Sequence, residues 1–303
     1  MSFSRIIGIV LIAALLIGCG VLFLMRSDAT RLSDKNALEE ALATPEPTPT
    51  PEGGLPTPAA EVTPTPEPTA TPEPTPTEEP TPDPDSPAGR AAALGLPAPP
   101  AIDIESWEYT LVNGDHSIGQ YVPEQLAYLD MTVSQTDIQT NYNAYRLPVD
   151  ARIAQPLLNM ALACKQAGLP VYLSSGYRSY TDQAANFQRI CRNNGVTDGK
   201  DANGHYITMP AGCSEHQLAL CCDITDVHHE IKNDSIASIP TVQWLGEHCA
   251  EYGFILRFPV EKRDITQVMG ESWHFRYVGE EAARYITDNG LCLEEFIALY
   301  KDI

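Results

Sequence analysis

Residues 211–226 read AGCSEHQLALCCDITD and place a histidine, several carboxylates and three cysteines within one short stretch. Such a stretch is compatible with a thiolate metal site, a thiol nucleophile or a disulfide-bearing hydrolase. Hydrolytic zinc asks for three protein ligands, usually nitrogen or oxygen donors, and one position left for water. His216 is followed seven residues later by Asp223, the one carboxylate inside an apolar segment. A charge there costs several kcal/mol unless it is paired or bound to metal. Downstream, GESWHFRYVG sets Glu271 three residues before His274. On a straight strand those two side chains face opposite sides, so a bend at Ser272–Trp273 is needed to bring them together. One histidine then completes a metal triad, and the neighbouring glutamate takes the proton of an activated water. Taken singly, each residue has a plainer explanation: Asp223 as a cap, His274 as a hydrogen-bonded core residue, His216 as a structural histidine. Their conjunction carries the signal.

These groups must be positioned by the chain from about residue 101 onward, where composition becomes that of an ordinary globular sequence. Apolar residues at three- and four-residue spacing predict a helix over 151–167, stopped by Gly168, and LPVYLS predicts a strand over 169–174. The turn SSGYRSY leads to a second helix over about 181–191, then a polar loop over 192–210. A strand is expected over 218–224, a helix over 242–252 ended by Gly253, strands over 254–258 and 273–277, and a last helix over about 280–289. A short β-like segment, 107–112, ends in Asn113-Gly114. Strands and helices do not alternate regularly, which predicts an α+β fold with a mostly antiparallel sheet flanked by helices.

Ahead of this domain the chain differs in kind. Residues 6–25, IIGIVLIAALLIGCGVLFLM, are uninterruptedly apolar between Arg5 and Arg26. As a helix they reach roughly 30 Å, one hydrocarbon thickness. A retained single-pass anchor over 1–27 is the favoured reading, with a cleaved signal peptide or lipidation at Cys19 in LIGC as alternatives. Residues 28–100 form a disordered linker, Pro-, Thr- and Glu-rich over 44–87; an extended spacer of that composition reaches at most roughly 140 Å. This organisation predicts a cell-membrane protein with its domain, 101–303, held outside the cell. The formal net charge is −21, and residues 101–303 alone hold 27 acidic against 14 basic side chains. Nucleic acid is therefore excluded as a partner, because it requires a basic footprint.

In order along the chain, SSGYRSYTDQ, SEHQLALCCDI and ESWHFRYVG resemble the VanY-type D-alanyl-D-alanine carboxypeptidases, within the LAS group of zinc peptidases (lysostaphin, D-Ala-D-Ala peptidases, hedgehog domains). The resemblance extends from about residue 107 to the C-terminus. It implies the LAS/hedgehog-type zinc peptidase fold, a zinc ion held by His216, Asp223 and His274, and Glu271 as general base. It also implies that Arg178 faces the site and stabilises an oxyanion. Ser214 and Gln183 match positions expected to bind the substrate peptide, and Tyr177 is open between packing and substrate contact. The implied activity removes the terminal D-Ala from peptidoglycan stem peptides. An L,D-carboxypeptidase acting on tetrapeptide stems is the nearest alternative, and a non-catalytic zinc-containing wall-binding module the more distant one. Two positions depart from the family's habit: Ser272 stands where proline is usual, and Ala219 where glycine is usual. The loop 192–210 is also atypical, and its His205 is expected at the surface.

Seven cysteines lie beyond the apolar run, without the CxxC pairing of a thiolate zinc site. Outside the cytoplasm, disulfides are the default, and Cys191 with Cys213 is expected to staple the atypical loop. Strand alternation sends Cys221 to the face of Asp223, and Cys222 to the helical side near Cys164 or Cys249.

Overall fold

A computed structural model of the chain describes residues 81–130, 138–140 and 146–303. The expected anchor, 1–27, and the linker up to residue 80 lie outside the described residues. Among the described residues no helix is long and apolar enough to cross a membrane.

Five strands form the main sheet: β2 (Gln139–Thr140), β4 (Tyr172–Ser175), β5 (Cys221–Thr225), β7 (Glu271–Tyr277) and β6 (Phe254–Phe258), in that spatial order. Within this sheet the β2–β4 pairing is parallel, whereas β4–β5, β5–β7 and β6–β7 are antiparallel. A separate antiparallel pair joins β1 (Leu126–Asp130) to β3 (Arg146–Asp150). The α+β architecture with a mostly antiparallel sheet is therefore present.

Period-two alternation gives the main sheet two unlike faces. Leu173, Cys222, Ile224, Phe254 and Phe275 point one way, into a core shared with Leu157, Met160 and Cys164 of helix α2 (Ala154–Gln166) and with Leu245 of α4 (Pro240–His248). Burying each large side chain of this kind is worth about 1.5–3 kcal/mol. Cys164, Cys222 and Cys249 belong to this one core, so the expected placement of Cys222 holds. The alternate positions Cys221, Asp223, Arg257, His274 and Arg276 take the opposite face, and all are buried. One side of the sheet thus builds the core and the other carries the polar groups.

Further helices close the domain: α3 (Tyr180–Asn194), capped at its start by Ser179 and ended by Gly195 at φ +68°, a four-residue α5 (Arg263–Thr266), α6 (Glu280–Asp288) and α7 (Leu293–Ala298). Ala282, Ile286, Leu293 and Phe296 form a second apolar cluster with Ile255.

Three expectations change. Residues 107–112 are not a strand: Trp107–Tyr109 form a single 3-10 turn, with the Trp107 ring stacked on Tyr277 at 5.9 Å and under the Arg152 guanidinium at 3.8 Å. The linker does not extend to residue 100, because Pro87–Ala93 form helix α1, capped by Ser86, with Ala91 fully buried in the second cluster. The tyrosine hydroxyls of Tyr285 and Tyr300 donate to the carbonyls of Pro97 and Pro100, fastening the segment that follows. Cys191 and Cys213 are free thiols, as are the other five described cysteines. Backbone bonds hold the loop instead: Ile207 N–H donates to Gly199 O, Tyr206 N–H to Gln267 O, and Met269 N–H to Tyr206 O.

Candidate metal centre and active-site cleft

Two tight turns aim the central groups. Gly176 follows β4, and a Cβ there would collide with Pro148 O, so only glycine lets this turn lie against β3. Its carbonyl accepts a hydrogen bond from His216 Nδ1 at 2.7 Å. In the neutral imidazole that nitrogen carries the proton, which leaves the Nε2 lone pair for a metal. His216 sits in a 3-10 turn, Glu215–Gln217, and its own carbonyl accepts from the Arg178 N–H. Ala219, three residues later, has φ +63°. That explains the family's glycine at this position, since a left-handed residue with a Cβ is strained.

The bend required between Glu271 and His274 is a bulge. Leu256 pairs with Phe275 and Phe258 with Glu271, so a step of two residues along β6 spans four along β7. It brings Glu271 Oε2 within 3.4 Å of His274 Nδ1. Ser272 lies inside the bulge, where a proline would break no ladder, and its hydroxyl is buried without a hydrogen-bond partner.

His274 Nδ1 and His216 Nε2 approach the same oxygen, Asp223 Oδ1, at 3.1 and 3.4 Å. Asp223 Oδ1 and His274 Nδ1 are both buried and make no hydrogen bond. Two nitrogen donors and a carboxylate oxygen converging in this way are a metal's donor set, not a satisfied core. A tetrahedral ion with bonds of about 2.0–2.1 Å spaces its ligands by about 3.3–3.4 Å, close to the two separations from Asp223 Oδ1, and the donors that lie mutually within 4.8 Å are Asp223 with Glu271 and His274, and His216 with Cys221 and His274. The residues present therefore fit a zinc ion.

Around these donors lies a shell of charge. Glu215 accepts from Arg257 Nε at 2.7 Å and Arg276 Nη1 at 2.8 Å, and its other oxygen lies 3.3 Å from His274 Nε2. Burial alone would favour the neutral acid, but the two guanidiniums outweigh it and hold the Glu215 carboxyl well below the usual range. Arg257 is paired in turn with Glu294 of α7, which also accepts from Asn113. Lys232 donates to Asp223 Oδ2 and to Ser174 Oγ, both at 2.8 Å. Against the cost of burial, Lys232 and His216 hold the Asp223 carboxyl down. Glu271 moves the other way, its proton affinity raised first by burial and also by Asp223. Cys221 Sγ lies 3.6 Å from His216 Nδ1; burial opposes ionisation of that thiol, yet the two imidazoles bring it down to about 7.

A cleft of about 630 Å³ opens on this cluster. Arg178, Gln183, Ser214, His216, Asp223, Glu271 and His274 all line it. Arg178 is oriented by Gln183 Oε1 and by Ser175 Oγ, and Gln183 itself donates to Met209 O. Gln183 is thus placed to position Arg178. Tyr177 is not among the lining residues; its backbone N–H donates to Pro148 O. His205 pairs with Asp264 at the surface side of the loop and does not line the cleft. Sequence reasoning misses Glu215, Arg257, Arg276 and Lys232. The two arginines do carry a signal, since each is a charge inside an apolar strand, FILRF and SWHFRY.

Residues 146–280 match the VanY family, D-alanyl-D-alanine carboxypeptidase. The chain is 35% identical over 196 residues to a putative carboxypeptidase, YodJ, of Bacillus subtilis (strain 168), covering 64% of this chain and 68% of that protein. Among solved structures, it is similar to the LdcB LD-carboxypeptidase (TM-score 0.53, 32% identity, 64% of this chain and 86% of that one). It is also similar to a mutant of the vancomycin resistance D,D-pentapeptidase VanY in complex with Zn(II) (TM-score 0.50, 30% identity, 63% of this chain and 99% of that one).

Proposed function

This chain belongs to the VanY family of D-alanyl-D-alanine carboxypeptidases, and on that premise we propose that it trims peptidoglycan stem peptides by releasing their terminal D-Ala. It is a zinc-dependent peptide hydrolase. The observation that carries the assignment of residues is the convergence of His216 Nε2 and His274 Nδ1 on the unbonded Asp223 Oδ1. These three atoms would hold the ion.

Zinc, when bound, supplies Lewis acidity toward water and toward the scissile carbonyl. The chain's own residues do the rest. Glu271, beside His274 and raised in proton affinity by burial, accepts the proton of the attacking water. The water oxygen bonds to the carbonyl carbon, the C–N bond breaks, and the proton held by Glu271 passes to the leaving amine of D-Ala. Arg178, held by Gln183 and Ser175, presents a guanidinium to the negative charge developing on the carbonyl oxygen. Ser214 lines the cleft beside His216, where it can meet the peptide.

The same reading puts the enzyme outside the cell, tethered by residues 6–25 and spaced from the bilayer by the Pro/Thr/Glu-rich segment. What supports it is the apolar run itself and a substrate found in the wall. Protease shaving of intact cells tests it: a domain protected until the cells are broken would overturn that location.

Incubating the protein with defined muropeptides, with and without chelator, tests the activity. Release of one D-Ala from pentapeptides, abolished by chelator, is the expected result. Release from tetrapeptides only would make it an L,D-carboxypeptidase, the activity of LdcB. No metal-dependent release from any peptide, with Glu271→Ala behaving as wild type, would leave a wall-binding module.

A further inference from the structure

We infer that Lys232 binds the free carboxylate at the C-terminus of the substrate and so restricts the site to terminal residues. The inference rests on the carboxypeptidase reading above and deepens it.

A carboxypeptidase must recognise a carboxylate close to the bond it breaks. From the scissile carbonyl carbon to the terminal carboxylate carbon there are three bonds, no more than about 4.3 Å in sum. The group that reads it must therefore lie beside the catalytic cluster. The cluster is itself rich in carboxylates, Glu215, Asp223 and Glu271, and the chain's net charge is −21. Glu215 is already matched by Arg257 and Arg276, so an incoming carboxylate pairs best with a cation that opens to the cleft.

Among the described residues, three permanent cations line the cleft: Arg178, Arg189 and Lys232. Arg178 is fastened to Gln183 and Ser175, and the reading above commits its charge to the carbonyl oxygen. Arg189 is exposed and bonded to Asn186. It lies six residues along α3 from Gln183, about 9 Å of helix rise from the residue that holds Arg178. Lys232 remains. Its ammonium is 2.8 Å from Asp223 Oδ2, so it sits one carboxyl group away from the donor atom Oδ1. The structure gives it two acceptors, Asp223 Oδ2 and Ser174 Oγ, and an ammonium has three N–H groups. The side chain is 18% exposed, opening to the cleft above the Trp273 ring. A zinc ion held by Asp223 would draw charge from it and weaken its hold on Lys232, leaving more of that positive charge for an incoming anion.

The test compares an N-acylated Lys-D-Ala-D-Ala as free acid and as C-terminal amide, using the full chain loaded with zinc. Wild type should favour the acid in kcat/KM by roughly 10- to 100-fold, the range for a hydrogen bond to a charged group. Lys232→Met should bring the acid-to-amide ratio of kcat/KM down to about one, whatever the absolute rate of either peptide. Lys232→Gln keeps a donor for Asp223 but drops the charge, and should behave like Lys232→Met. Zinc content is measured alongside. Calorimetry on Glu271→Gln, with and without Lys232→Met, reads binding of acid against amide without turnover. Acid and amide falling together, or zinc content falling in both Lys232 variants, would overturn the inference and leave Lys232 as a partner of Asp223 only. If wild type cleaves neither peptide, the D,D-carboxypeptidase reading fails. The calorimetric comparison then still decides whether Lys232 binds a terminal carboxylate.

Discussion

His274 Nε2 lies 3.3 Å from Glu215 Oε2, while Glu215 Oε1 is gripped by Arg257 and Arg276. A carboxylate behind a ligating imidazole fixes which nitrogen holds the proton, leaving the other for the metal. Here that carboxylate is kept ionised by two buried guanidiniums, so the tautomer of His274 is set by residues on separate strands and turns.

Glu215→Gln should accordingly weaken zinc binding about 10- to 100-fold. It should also destabilise the zinc-free protein by about 3–5 kcal/mol, because two buried cations lose a partner. Competition with a chromophoric chelator and urea unfolding measure the two effects separately. Unchanged zinc affinity would show that Glu215 serves the fold alone.

A pH dependence follows from His216. In the zinc-free protein burial works to remove its proton, but Cys221 and Asp223 outweigh burial and raise it to about 9, above the usual value of about 6.5. That raised value stabilises the zinc-free fold fully below about pH 6.5, and the gain is lost as pH rises through about 9. Zinc needs the neutral imidazole and must displace that proton across the same window. Its affinity should therefore climb by about tenfold per pH unit for each proton displaced. Isothermal titrations at roughly pH 6.5, 7.5 and 8.5, spanning that window, check the slope, and a flat profile would contradict it.

On the proposed role of Glu271 as the base, Glu271→Gln should lower kcat by about 10²–10⁴ while zinc content stays at about one ion per chain. Metal analysis beside turnover separates this from loss of a ligand.

Ala219→Gly should stabilise the protein. Ala219 is buried at φ +63°, a conformation costing roughly 1–2 kcal/mol for a residue with a Cβ. Glycine gives back part of that through the unfolded chain, for a net gain of about 0.5–1 kcal/mol. Thermal unfolding of the two proteins shows whether the melting temperature rises.

His216, Asp223, Glu271 and His274 are legible in the amino-acid sequence, because their chemistry is unusual for their settings and their spacing is fixed within short motifs. Even the β7 bulge is implied, since a straight strand cannot bring Glu271 to His274. Arg257 and Arg276 break apolar strands as Asp223 does, yet a charge without a visible partner does not announce its role. Lys232 sits in a loop after β5, where no periodicity points anywhere. The helix at Pro87–Ala93 is hidden by proline-rich composition continuous with the linker, although Ser86 and Pro87 form a cap and first-turn pair. Trp107–Tyr109 reads as strand because aromatic residues favour strands; stacking on Tyr277 and Arg152 turns the chain instead. The pairing of Cys191 with Cys213 follows from compartment and from their bracketing the loop 192–210, and neither says which thiols meet.

The Arg257–Glu294 pair also bears on the order of events during synthesis. Glu294 leaves the ribosome after His216, Asp223 and His274, yet it shares Arg257 with the carboxylate behind His274. A nascent chain that has not reached α7 holds a guanidinium with half its partners and an imidazole whose proton is poorly fixed. Through Arg257, α7 is thus tied to the carboxylate behind His274.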